Sequence, residues 1–191
     1  WIKSNDLLLS DKISRFSSPQ NLNLLSMLNI KYIFSSFKLP LLRQGYEGQD
    51  NLKLVYETPA TEKNIPIYVY ENSNAMPRVY FAKDVKFVSS ESAFEELLKV
   101  KDFHQLALIE NPNDQIPMTN QIQSSNIKNI IQIEEFKSDF VKIKVKTSEN
   151  NWLIYSDANL PTWEAYINNQ KTDIYTANYL FKSVFVPKGG T

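Results

Sequence analysis

Cysteine is absent from the 191-residue chain, and histidine and glycine are scarce, with one His and four Gly. Without cysteine there is no disulfide scaffold, no thiol nucleophile and no Cys-based zinc site. The single histidine, His104, cannot build a His-based metal site. It stands just before a strand pattern with no base–nucleophile partner in view, so it reads as structural or solvent-facing. No glycine-rich phosphate loop is present, and "PKGG" reads as a hairpin turn. An excess of one charge is missing too: 21 basic residues offset 21 acidic ones, with no basic run. That argues against a nucleic-acid surface, which needs clustered Lys and Arg. Nor is there an apolar stretch near the ~18–20 residues that span a bilayer. The best run, "LLSMLNIKYIF", is interrupted by Ser26, Asn29 and Lys31. No metal and no cofactor is expected. With a start at Trp1 rather than Met and no signal-peptide pattern, the chain is expected to be a piece of something longer or a processed product.

Apolar residues make up 42% of the chain and aromatics 13%, enough for a folded core. Ser18-Pro19 ahead of "QNLNLLSMLN" predicts an N-cap, a proline at the first helical position and a short amphipathic helix with Leu22, Leu25 and Leu28 on one face. "IKYIFSS" predicts a strand in which Ile30, Tyr32 and Phe34 alternate with Lys31 and Ile33. "LKLVYET" and "IPIYVYEN" predict a hairpin, and "VYFAKDVKFV" a further strand. Ser92 with Glu95 three positions on fits a capping box before Leu97 and Leu98. "HQLALIE" predicts another strand, ended by Asn-Pro-Asn-Asp at 111–114. After a polar linker at Gln115–Ser125 come six β-rich runs at sandwich-like spacing, among them the strictly alternating "VKIKVK". The expected fold is an α+β part over 1–120 followed by an antiparallel β-sandwich over 121–191, mainly β overall. A final strand is expected to be missing, which would leave the strand through Val184 and Val186 with an unpaired edge.

Candidate chemistry is sparse. Glu95-Glu96 and Glu134-Glu135 are sequence neighbours, whose side chains diverge on a helix or strand, so neither makes an acid/base pair. Asp157 ends a strand before a turn, where a carboxylate caps backbone N–H groups. Trp163 reads as core or, alternatively, as a platform for a sugar face, together with the aromatics that crowd the last third. Arg78 follows a proline-fixed turn and reads as a salt-bridge clamp or as a phosphate or carboxylate ligand.

Three stretches, "NLLSMLNIKYIFS" (23–35), "VYENSNAMPRVYFA" (69–82) and "YSDANLPTWEAYINNQKTDIYTANYLFKSVFVPKG" (155–189), resemble in that order blocks of the YfhO family of bacterial polytopic membrane proteins. That family shows "N-L-L-x-V-K-Y", "E-N-x-N-A-L-P-R", and "S-D-x-x-x-P-G-W-x-A-x-x-D-G" leading to "A-N-Y-x-F-R-x-V-x-V-P-x-G". Asn72, Asn74, Ala75, Pro77 and Arg78 match the middle block, with Met76 for Leu. Ser156, Asp157, Pro161, Trp163 and Ala165 match the last. Thr162 replaces the glycine before Trp163, and Asn168-Asn169-Gln170 replaces Asp-Gly, a pair that still suits a type I′ turn. The resemblance implies a GT-C-type glycosyltransferase using a polyprenyl-phosphate sugar donor for cell-envelope glycans. This chain would match its soluble domain on the extracytoplasmic face of the membrane. Its partners would be the transmembrane part of the same polypeptide and, through Arg78, Asp157, Trp163, Tyr166, Asn178 and Tyr179, a lipid-linked sugar or glycan. The catalytic carboxylate of such enzymes would lie in a membrane loop outside this chain, so catalysis by the piece alone is not expected. The alternative is a non-enzymatic glycan-binding or assembly module of an envelope protein.

Overall fold

β-Branched and aromatic residues dominate the runs between turns, and the protein is accordingly mainly β. The computed structural model describes residues 19–39, 51–59, 61, 64–111 and 129–189. The chain divides into two compact units, Trp1–Met76 and Pro77–Thr191.

In the first unit, helix α1 (Pro19–Met27) starts at the proline, as its fixed φ favours. Ser18 lies outside the described residues. Strands β1 (Tyr32–Ser35), β2 (Leu52–Glu57) and β3 (Tyr68–Asn72) form an antiparallel sheet in the order β1-β3-β2, with the expected β2–β3 pairing. Leu22, Ile33, Leu39, Leu52 and Tyr70 make its core, and the Tyr70 hydroxyl accepts a hydrogen bond from the Leu39 amide at 2.8 Å. Ile33 therefore points inward, whereas Tyr32 and Phe34 are 49% and 72% exposed, a choice of face that the alternation left open. Pairing of Ile33 with Tyr70 sets that register, and in a period-2 strand one partner decides every side chain's face. Two of the quoted blocks meet here. Buried Asn72 donates through Nδ2 to Ser26 Oγ and to Ile30 O, both at 3.0 Å, and Asn29 Nδ2 donates to Met76 O.

The second unit contains β4 (Val79–Phe81), β5 (Asp84–Val88), helix α2 (Ala93–Leu97), β6 (Leu106–Glu110), β7 (Ile130–Phe136), β8 (Val141–Lys146) and β9 (Asn151–Ala158). It continues with β10 (Ala165–Ile167), β11 (Gln170–Thr172), β12 (Tyr175–Ala177) and β13 (Phe181–Val186). The central sheet runs β4-β9-β13-β12-β6-β5, with β5 and β6 parallel and the other pairs antiparallel. "VYFAKDVKFV" is thus two strands, and they occupy opposite edges of one sheet. Laid flat, six strands would set those edges about 24 Å apart. Only Ala82 and Lys83 join β4 to β5, and that link reaches no more than about 11 Å. The sheet must curl until its edges approach each other. Contact between Trp152 on β9 and Phe87 on β5, with ring centroids 5.9 Å apart, follows from that curl.

Inside the curl, Trp152 also meets Tyr175 at 5.3 Å and Phe185 at 5.5 Å, both edge-on. On the opposite face, Val79, Leu153 and Val186 pack against Val145, Ile131 and Ile143 of the β7–β8 hairpin. Strand β13 pairs with β9 over all six residues and with β12 over Phe181–Ser183, so its first half lies between two strands while Val184–Val186 are paired on the β9 side alone. The boundary expected after residue 120 crosses this sheet, because β4 and β6 hydrogen-bond directly to β9 and β12. Non-local pairing, invisible to composition, places them there. The linker at 115–125 lies outside the described residues.

The capping box does not form. Ser92 has helical φ and ψ and makes no side-chain cap bond; its hydroxyl donates to Ser89 O at 3.2 Å instead. The Asn168-Asn169 turn does form, with φ of 51° and 65°, and closes β10 onto β11. His104 sits in the turn before β6, where its amide donates to Asp102 Oδ1. Glu96 lies between Lys86 and Lys99, whose hydrogen bonds lower its carboxyl pKa to about 2.

Candidate functional site

Strands β9 and β13 pair Tyr155 with Lys182, and alternation then places Asp157 on the same face. That face also carries Val184 and Val186, so Lys182 stands in an apolar row. Its side chain is only 7% exposed. An ammonium held away from water needs compensation, and three neighbours supply it. Asp157 Oδ2 accepts from Nζ at 2.7 Å. The rings of Trp163 and Tyr155 lie 4.2 Å and 5.2 Å from it, within cation–π range. Trp163 comes from the loop that leaves β9, so the lysine draws the loop back over the sheet. Asp157 is therefore an ion-pair partner of Lys182, and Trp163 a half-buried lid over the ammonium. Neither the core plug nor the fully open platform expected from the sequence describes that ring.

Lys182 was not among the residues singled out from the sequence. A signal existed: a lysine sharing its alternation with Val184 and Val186, at the place where the quoted block carries arginine. Replacing Lys182 with Met should keep the aliphatic stem and lose the charge contacts, costing about 1–2 kcal/mol. Lys182→Arg should recover most of that loss. Urea unfolding measures the stability, and acrylamide quenching shows whether Trp163 is released; a Met variant as stable and as protected as the parent would refute the latch.

Beside the latch, the 159–164 loop and the end of β11 enclose a cleft of about 400 Å³. Its lining brings apolar Trp163, Pro161 and Ile174 together with polar Asn159, Thr172 and Asp173. At the rim, Glu164 accepts from Lys171 Nζ at 2.5 Å and from the Tyr166 hydroxyl at 2.8 Å. Hydrogen bonds from Lys171 and then Tyr166 hold the Glu164 carboxyl below its usual range, while Glu164 raises both partners. The rim thus stays an ionised pair at neutral pH. Burial, and then the charge of Asp173, pushes the Tyr175 phenol up.

The remaining expected site residues have other partners. The Arg78 guanidinium lies over the Phe136 ring at 5.5 Å. Asn178 is fully buried: its Oδ1 accepts from the Leu108 amide at 2.9 Å, and its Nδ2 donates to the Tyr80 hydroxyl at 3.1 Å. Tyr179 is exposed, at a φ of 68° that a tyrosine seldom adopts. Its ring is 5.3 Å from that of Phe94. The structure therefore gathers Asp157 and Trp163 at Lys182, sets Tyr166 at the rim of the adjoining cleft, and uses Asn178 as an internal clamp. Among the described residues no group of three or more His, Cys, Asp or Glu side chains is placed to hold a metal, and no helix is long and apolar enough to cross a membrane. Comparison of the chain with known protein families, with curated proteins and with solved structures found no match in any of the three.

Proposed function

We propose that this chain is the extracytoplasmic, non-catalytic portion of a membrane glycosyltransferase of the YfhO type. It would support handling of a polyprenyl-phosphate sugar or an envelope glycan beside the transmembrane part of the same polypeptide. One observation carries the reading: residues of the quoted blocks meet in space. Asn72 and Asn29 tie the first block to the second, and Asp157, Trp163 and Lys182 of the third form a single latch. The fold that goes with this proposal is a β-sandwich in which the β7–β8 hairpin forms the short second layer.

The cleft beside Trp163 favours a second reading, a non-enzymatic glycan-binding or assembly module of an envelope protein. The coding sequence upstream separates the two. A long series of membrane spans supports the transferase, whereas a single span or none sinks it. Under either reading the purified chain is expected to transfer no sugar from nucleotide or polyprenyl-phosphate donors. Turnover above a heat-treated control in a radiolabel transfer assay would overturn that expectation.

A further inference from the structure

We infer that the cleft between the 159–164 loop and β11 is a binding site for an uncharged saccharide, with the Trp163 ring as its apolar wall and Asp173 as its principal hydroxyl acceptor. It rests on the carbohydrate reading above, and the two fail separately. Missing upstream spans would leave the cleft untouched, and a silent cleft would leave the parent assignment standing.

Shape and charge select the ligand class. The lining combines apolar Trp163, Pro161 and Ile174 with an amide, a hydroxyl and a carboxylate from Asn159, Thr172 and Asp173. A pyranose offers partners for both kinds of group, with a C–H face on which aromatic rings pack and a hydroxyl edge that takes hydrogen bonds. A volume of about 400 Å³ lies at the small end of the ~300–1,000 Å³ typical of ligand sites, which suits one or two sugar rings. Glu164 and Asp173 against Lys171 leave a net negative cleft, which disfavours phosphate and carboxylate ligands. A cation would find Glu164 already neutralised by Lys171 at 2.5 Å, leaving Asp173 alone to attract it. Hydroxyl groups can use both carboxylates as acceptors without displacing that pair.

Lys182 positions the wall. Its ammonium at 4.2 Å from the Trp163 ring fixes the indole before any ligand arrives, which reduces the ordering cost of binding.

The test uses the whole chain and named probes: methyl β-glucoside, maltotriose and chitotriose, with tetramethylammonium and inorganic phosphate as charged comparators. Saturation-transfer NMR and tryptophan fluorescence read binding. At least one glycoside should bind saturably in the millimolar range, with neither comparator competing. Asp173→Asn and Glu164→Gln alter exposed groups and should keep the melting temperature. Asp173→Asn should weaken the glycoside about five- to tenfold, and Trp163→Ala should abolish its binding. Because Trp163→Ala also removes a latch contact, the Asp173 variant decides the matter. No saturable binding of any glycoside, binding indifferent to Asp173→Asn, or preferential binding of tetramethylammonium would each overturn the inference.

Discussion

Trp152→Ala is expected to cost the second unit about 3–5 kcal/mol. The side chain is 1% exposed and meets the rings of Phe87, Tyr175 and Phe185. Phe185 lies on the neighbouring strand β13 and Tyr175 on the next, β12, whereas Phe87 comes from the far edge on β5, so the indole fills the hollow that the curl creates. Its removal opens a cavity that surrounding backbone cannot close without unbending the sheet. Against a total stability of roughly 5–15 kcal/mol, the unit would be largely unfolded at moderate urea. Trp152→Phe should cost markedly less, because it retains a ring and removes an indole N–H that has no acceptor in the core. Urea unfolding followed by circular dichroism measures both variants. A loss below about 1 kcal/mol for the alanine variant would mean that the curl is held elsewhere.

The second large effect is expected at Asn178. Strands β12 and β6 share a single paired position, Ala177 with Ile109, and Asn178 extends that joint. Its amide donates to Leu108 O at 2.8 Å while its side chain bonds Leu108 N and the Tyr80 hydroxyl. It also occupies φ of 48° in a tight turn closed by the Leu180 amide on Ala177 O at 3.1 Å. Alanine would strand the buried Leu108 N–H and remove the donor at the Tyr80 hydroxyl, at about 1–3 kcal/mol per unmet group. It would add a left-handed backbone cost of about 1 kcal/mol. A loss of about 3–5 kcal/mol is expected. Asn178→Gly removes the backbone cost only, so stability should fall in the order Asn, Gly, Ala. Exchange of the Leu108 amide should accelerate in both variants; an alanine variant with wild-type protection there would refute the clamp. Burial also pushes the Tyr80 phenol well above the ordinary tyrosine value. The folded state therefore resists its ionisation, and this contribution is constant below pH ~10 and declines above it.

Much of the strand content was legible in local pattern. "VKIKVK", "LKLVYE" and "LALIE" carry the alternation or β-branching that a pleated surface demands, and each is a strand. The helix start at Pro19 and the Asn168-Asn169 turn were legible too, because each depends on the φ of the residues concerned. Lys182 was half-legible, as a charge out of step with its apolar row. The Ser92 capping box was misread: the motif names the residues, but the backbone angles of Ser92 itself are helical, which removes the geometry a cap requires.

Sequence by itself determined that this is a mainly β protein with a real core and no thiol or histidine cluster, since alternation, turn chemistry and composition are local properties. Tertiary structure alone decided that β1 turns Ile33 rather than Phe34 inward, that β4 and β5 part to opposite edges of one curled sheet, and that β13 runs between β9 and β12. It alone decided that Asp157, Trp163 and Lys182 converge. The physical reason is the same in each case: a period of two states that faces alternate, but which face is buried depends on the register with a strand distant in the chain.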